Sequence, residues 1–252
     1  MRDTIQTQDF FDEGIELDQE TLVRHKNELN GLPMHSGRAS QLFSLCERSA
    51  ALCTQRYSRG DALDDMEPSI RQMLQLFQLR SLTLPTLELE PKTREMWSNL
   101  TLSELYDTLT CLSFAVSQRY PAESYHKLFQ FIGHAGDDGL LDRIAVQMGE
   151  KQRPVAAASK FAKEYNALVA VIDALAEARP ALLKTYVENW YKKHMRGSAL
   201  YGTHKSEAYV GYWCFEAALV AMLWKIDDGT FAEHPHYPVD LVRHYRTQAP
   251  LA

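Results

Sequence analysis

Glu216 is the residue whose surroundings most strongly suggest a special chemical role. It is the single charged side chain between Ala208 and Trp224, where nearly every other position is apolar or aromatic. A helix that is apolar on all sides lies inside a protein, so we expect this carboxylate to be buried. A buried carboxylate needs a hydrogen-bonding partner or a raised pKa. Lys205, a tyrosine hydroxyl or a loop backbone group could be that partner, whereas a catalytic acid would also need a cleft and a second titratable group.

Two other groups contain residue types that bind metals. Glu123 and His126 have the spacing of one helix of a di-iron site, but the second such pair and the additional glutamates do not follow. The second group lies near the C-terminus, where two prolines indicate a surface turn and no cysteine completes a zinc site. Its members are Asp227, Asp228, His234 and His236.

The sequence lacks the common catalytic motifs. The zinc-protease His-Glu-x-x-His motif, the phosphate-binding Gly-x-x-x-x-Gly-Lys loop and the Gly-x-Ser-x-Gly elbow are all missing. Cys46 and Cys53 are too far apart along one helix, at about 10.5 Å, to form a disulfide. Cys111 and Cys214 lie in apolar segments, so all four cysteines are expected in the core. We therefore expect no enzymatic activity, no bound metal and no cofactor.

The elements that hold these residues are predicted to be helices. Apolar side chains recur every three or four residues over most of the chain, and hairpin turns between alternating segments are missing. A clear example is the series Leu42, Cys46, Ala50, Cys53 and Tyr57. The prediction is an all-α, bundle-like globule with a central buried helix near residues 209–226. We expect two helical modules, residues 1–120 and 121–252, packed as one compact unit, with a long connection over residues 83–100.

Charge and composition narrow the functional class. The chain has 252 residues, 45% of them hydrophobic, with 33 acidic and 27 basic side chains. This composition excludes wholesale disorder and argues against a protein that binds nucleic acid through a basic face. The N-terminus has no apolar run of signal-peptide length, and the longest apolar stretch is too short and too closely followed by charges to span a membrane. We expect a cytoplasmic protein.

The acidic excess lies in residues 1–150, which carry 23 acidic and 14 basic side chains. Two acidic clusters are candidate docking surfaces for a basic partner, the alternative being solvated carboxylates at helix starts. The first cluster is Asp61, Asp64, Asp65 and Glu67. The second cluster is Asp137, Asp138 and Asp142.

Several stretches together resemble one known family. The C-terminal ones are Tyr209-Val210-Gly211-Tyr212-Trp213-Cys214-Phe215-Glu216-Ala217-Ala218, Ile226-Asp227-Asp228 and Tyr237-Pro238-Val239-Asp240-Leu241. The N-terminal ones are Arg2-Asp3, Phe10-Phe11-Asp12-Glu13 and Tyr57-Ser58-Arg59-Gly60-Asp61. They resemble the PoNi immunity family, in two pieces of about residues 2–120 and 121–246.

The resemblance implies a helical protein that is not an enzyme. PoNi proteins bind the cognate PoNe-type DNase toxin in the cytoplasm of bacteria that deploy it by contact-dependent, type VI secretion. The motif residues are expected to build the core and not the toxin contact: Tyr212, Trp213, Phe215, Glu216 and Asp227. A helical adaptor for another bacterial partner and a metal-dependent helical hydrolase are the alternatives. The oligomeric state stays open.

Overall fold

The regular secondary structure is entirely helical in the part of the chain that the structure, a computed structural model, describes. That part comprises residues 1–120 and 132–248, and it contains ten α-helices and no strand. The predicted all-α class is therefore confirmed. The chain divides into two compact units. Unit 1 consists of residues 1–101 and 203–211, and unit 2 consists of residues 102–202 and 212–252.

Unit 1 is built from three long helices and one short one. These are α1 (Gln8–Gly31), α2 (Ser36–Arg59), α3 (Leu63–Thr83) and α4 (Pro91–Ser98). The Thr7 hydroxyl accepts a hydrogen bond from the backbone N–H of Phe10 and so caps α1. Helix α2 ends at Gly60, whose φ of 104° is a left-handed conformation that favours glycine. The short connections make α1 pack along α2 and α2 along α3.

A buried polar contact ties the first two helices together. Asp18 of α1 is 2% exposed and accepts hydrogen bonds from Arg48 (2.9 Å) and Gln55 (3.1 Å) of α2. Burial raises the pKa of Asp18, and the hydrogen bond and charge of Arg48 oppose that rise. The buried face of α1 thus includes a carboxyl group whose hydrogen-bond donors come from α2.

Unit 2 surrounds one short central helix. Its helices are α5 (Leu102–Ser117), α6 (Gly139–Gln147), α7 (Ala162–Asp173), α8 (Arg179–Asn189), α9 (Phe215–Leu223) and α10 (Val239–Thr247). Helix α9 packs against α5, α6, α8 and α10, and its residues 215–222 are all buried. It is the central helix that the apolar run predicted.

The start of this helix differs from the prediction. Residues 209–214 are not helical, although most of them are buried, and α9 begins only at Phe215. Gly211 has a φ of 122°, and the N–H of Cys214 donates to the carbonyl of His236 at 2.8 Å instead of to a helical partner. Apolarity alone does not separate a buried helix from a buried extended segment, so the sequence placed the helix start six residues too early. The predicted connection at residues 83–100 also contains α4.

Candidate functional site

Glu216 lies in the first turn of α9 and is 2% exposed. Its Oε1 accepts two hydrogen bonds from one neighbouring segment, from the Tyr186 hydroxyl at 2.9 Å and from the Trp190 indole N–H at 2.7 Å. The thiol of Cys214 forms a further hydrogen bond with this carboxylate. The sequence analysis offered a lysine, a tyrosine hydroxyl or a loop backbone group as the partner. The structure shows a tyrosine hydroxyl, together with an indole N–H that the sequence did not suggest. The prediction that Glu216 is buried and paired agrees with this geometry.

A local change of helix type accompanies the two donors. Tyr186 and Trp190 are four residues apart and therefore point the same way. The α8 helix then gives way to a π-helical turn, Trp190–His194, in which the N–H of Met195 donates to the carbonyl of Trp190. His194 stacks on the ring of Tyr186, with centroids 4.4 Å apart and planes 17° apart. This stacking covers one face of the tyrosine whose hydroxyl reaches Glu216.

Burial dominates the electrostatics of this cluster. It raises the pKa of Glu216 above the ordinary value of 4.5, while hydrogen bonds from its own N–H, from Tyr186 and from Trp190 act in the opposite direction. Burial, followed by the nearby Glu216 charge, also raises the pKa values of three tyrosines and one cysteine. These are Tyr106, Tyr165, Tyr186 and Cys214.

The space beside Glu216 is very small. A cavity of about 10 Å³ is lined by Glu216, Tyr106, Trp190 and their neighbours. This volume holds at most about one water molecule, so a substrate has no room there in this conformation. The arrangement suits a carboxylate that organises a core.

The aromatic motif residues around Glu216 are also buried. Tyr212, Trp213 and Phe215 are all less than 7% exposed. The ring of Phe215 packs against Phe114 of α5, with centroids 5.0 Å apart, and its carbonyl accepts a hydrogen bond from the Ser113 hydroxyl at 2.9 Å. These contacts join the start of α9 to α5.

Asp227 does not lie in the core, and this corrects the sequence prediction. It is exposed, and its carboxylate accepts a hydrogen bond from the N–H of Gly229 at 3.1 Å. The buried member of the pair is Asp228, which is 3% exposed and accepts from the Tyr237 hydroxyl (3.1 Å) and from Arg246 (2.6 Å). Because the two aspartates are adjacent in a turn, their side chains point in different directions, and only the second one reaches α10.

The second acidic cluster does not form a surface, because two of its three members are buried. Asp138 caps α6 by accepting from the N–H groups of Leu140 and Leu141, and its other oxygen accepts from the Ser159 hydroxyl. Asp142 is fully buried. Only Asp137 is exposed, and it pairs with Lys160 at 3.1 Å. The expectation of an exposed patch at Asp137, Asp138 and Asp142 is therefore wrong for Asp138 and Asp142.

Asp142 binds a buried arginine and thereby fixes two loops. Its Oδ1 accepts from Arg153 Nε at 2.7 Å, and its Oδ2 accepts from the N–H of Ala156 at 3.0 Å. Arg153 in turn donates to the carbonyls of Ile132 and Gly133. The guanidinium and carboxylate thus satisfy backbone groups as well as each other, the condition under which a buried ion pair is tolerated.

The first acidic cluster is partly occupied by internal contacts. Asp61 accepts from Arg56 and Arg59, both at 2.7 Å. Burial opposes ionisation of Asp61, but these hydrogen bonds outweigh it and hold its pKa below the usual value. Glu67 pairs with Arg71 one turn along α3. Asp64 and Asp65 are exposed in the first turn of α3, where carboxylates suit the helix dipole.

The remaining candidates are the cysteines and the groups of metal-binding residue types. All four cysteines are buried free thiols, and burial raises the pKa of Cys53 to about 12. Within residues 1–120 and 132–248, no three His, Cys, Asp or Glu side chains are grouped to hold a metal ion. Glu123 and His126 lie outside the described residues. None of the described helices combines the length and apolarity needed to cross a membrane.

We predict that replacing Glu216 changes how stability depends on pH. The folded state raises the pKa of Glu216, so it binds the proton more tightly than the unfolded state does. Wild-type protein should therefore lose free energy of unfolding, relative to Glu216→Gln, as the pH rises above about 4.5. Urea unfolding of both proteins between pH 4 and 8 measures the difference. A difference that is constant with pH, or that grows in favour of the wild type, would contradict a buried carboxylate with a raised pKa.

A second prediction concerns the buried ion pair. Asp142→Ala leaves the Arg153 guanidinium buried without its partner and should cost about 3–5 kcal/mol of unfolding free energy. Asp137→Ala removes a half-exposed carboxylate of the same cluster and should cost less than about 1 kcal/mol. Chemical denaturation of the two variants gives both values. Equal losses would mean that the two aspartates do not differ as described.

Two comparisons place the chain among known proteins. Residues 136–241 match the family described as PoNe immunity proteins (PoNi), C-terminal. No curated protein matches the chain. The crystal structure of protein PA2201 from Pseudomonas aeruginosa aligns with a TM-score of 0.69 over 97% of this chain and 90% of that one, at 16% sequence identity. At this identity the alignment shows a shared fold alone.

The matched residues include the three C-terminal stretches that suggested the family, at 209–218, 226–228 and 237–241. They also include Glu216, both of its described aromatic donors and the Asp138 and Asp142 contacts. Residues 136–241 thus match the C-terminal family of PoNe immunity proteins that these stretches suggested.

Proposed function

We propose that this chain is an immunity protein that binds a cognate, secreted antibacterial DNase of the PoNe type in the cytoplasm and neutralises it. The observation that carries the proposal is the family match over residues 136–241, because the family is described by its immunity to PoNe toxins. The toxin would arrive by type VI secretion from neighbouring cells, and the chain would protect its producer and kin in interbacterial competition.

The distribution of charge supports a basic partner. Unit 1 carries seventeen acidic and twelve basic side chains, and so holds most of the net charge of −6. A DNase has to present positive charge to the phosphate backbone of DNA. Opposite charge on the inhibitor accelerates association and disfavours binding to other acidic proteins.

The family motif supports inhibition by binding and not by turnover. Its aromatic residues and Glu216 are buried, and the cavity beside Glu216 holds about one water molecule at most. The proposed inhibitor therefore acts stoichiometrically, through exposed residues outside this motif.

The test is a titration of nuclease activity. A PoNe-type DNase encoded beside the gene for this chain is mixed with linear DNA and increasing amounts of the purified protein. We expect DNA cleavage to fall linearly with the amount of added protein. Cleavage should stop when the mixture contains about one binding site per nuclease molecule, because tight binding leaves no free nuclease.

An unrelated metal-dependent DNase serves as the control, and its activity should not change. Loss of both activities would indicate metal or DNA sequestration, and no loss of either activity at a tenfold excess would contradict the proposed function. Either result would favour an adaptor or another non-immunity role.

A further inference from the structure

The outward face of α1 has an unusual combination of charge and exposure. Four carboxylates follow one another at intervals of four, three and four residues, and this spacing places them on one side of a helix. They are Asp9, Glu13, Glu16 and Glu20. All four are exposed. We call these residues, together with Leu17 and Val23, the outward face of α1.

These carboxylates are not used by the fold. Among residues 1–120 and 132–248, no hydrogen bond or ion pair is formed by the side chains of Glu13, Glu16 or Glu20. Nearby Asp12 differs, because it pairs with Arg59 at 2.7 Å. Like charges three or four residues apart destabilise a helix, and the dipole at the N-terminus favours only a carboxylate in the first turn, such as Asp9. The four carboxylates therefore destabilise α1, and no contact within the described fold compensates for this.

Apolar side chains lie within the same acidic stripe. Leu17 is 58% exposed and Val23 is 61% exposed, more than most large apolar residues in the described part of the chain. The side chains of Glu20, Arg24 and Asn27 surround Val23 on this surface. Apolar side chains surrounded by charged ones are typical of a binding surface. The apolar side chains contribute to the affinity, and the charged side chains raise the association rate.

The opposite face of α1 holds the helix rigidly in place. Phe11, Ile15 and Leu22 are buried, and Asp18 is bound by Arg48 and Gln55 of α2. A face that is already ordered loses little conformational entropy when a partner binds.

We propose that the outward face of α1 is the surface that docks on the basic, DNA-contacting face of the nuclease. This assignment rests on the proposed function and specifies where it is performed. Charge complementarity identifies the partner surface. The face of a nuclease that binds DNA carries positively charged side chains, and these can pair with the four carboxylates of α1. Leu17 and Val23 then contact apolar side chains between those cations.

The experiment is stopped-flow binding of the full chain to a catalytically inactive variant of the same PoNe-type DNase. We expect the triple variant Glu13→Gln, Glu16→Gln and Glu20→Gln to lower the association rate about tenfold at low salt. The difference should nearly vanish at 1 M salt, where the Debye length is about 3 Å. Leu17→Ala should leave the association rate unchanged and raise the dissociation rate about fivefold.

Matched controls come from the same unit. Glu88→Gln, Glu90→Gln and Glu95→Gln together remove the same charge from exposed positions near α4 and should change the association rate less than twofold. Leu82→Ala removes an equally exposed leucine, at 57%, from α3 and should not change the dissociation rate. Circular dichroism checks that each variant keeps its helices.

Three outcomes separate the claims. Selective effects of the α1 variants support the assignment. Binding by the wild type, with the α1 variants behaving like their controls, overturns the assignment and leaves the proposed function intact. Failure of the wild type to bind the nuclease at all overturns both.

Discussion

The packing around the central helix of unit 2 is organised by the buried carboxylate of Glu216. Glu216 lies at the start of the central helix, and the hydrogen bonds that Tyr186 and Trp190 donate to one of its oxygens compensate much of its desolvation. This requirement fixes the orientation of α8 relative to α9 and accompanies the π-helical turn that follows Trp190. The aromatic side chains around this acid therefore form a packing arrangement, in which each ring fills volume and those of Tyr186 and Trp190 also donate a hydrogen bond.

The same principle recurs elsewhere in the chain. Asp18, Asp142 and Asp228 are each buried, and each accepts hydrogen bonds from an arginine and at least one further donor. These acids join helices or loops within their units, so they are unavailable to a partner. The net negative charge of the sequence thus overstates the acidity of the surface in some segments. On the outward face of α1, by contrast, Glu13, Glu16 and Glu20 are exposed and form no side-chain hydrogen bond or ion pair with the described residues, and the proposed docking relies on their charge.

Periodicity and composition predict part of this arrangement. The apolar series from Leu42 to Tyr57 is buried as its spacing requires, and Glu216 could be recognised as buried because no other charge interrupts its segment. The start of α9 could not be placed, since a glycine with positive φ and a long-range hydrogen bond from Cys214 to His236 keep the preceding segment extended and delay the helix to Phe215.

The sequence also reveals only in part which acidic residues are buried in internal contacts. Asp138 directly precedes the run Gly139-Leu140-Leu141, a pattern that indicates an N-cap and could have removed it from the predicted surface. The pairing of Asp142 with Arg153, eleven residues later, follows no helical spacing and is visible only in three dimensions.

The central claim is that the buried motif builds the fold while exposed residues contact the toxin. The structure of the complex with a catalytically inactive PoNe-type nuclease tests it most directly. We predict that basic side chains of the nuclease lie against Glu13, Glu16 and Glu20, and that Glu216 keeps its bonds to Tyr186 and Trp190. A nuclease bound through an opened motif, with Glu216 contacting the toxin, would contradict the account.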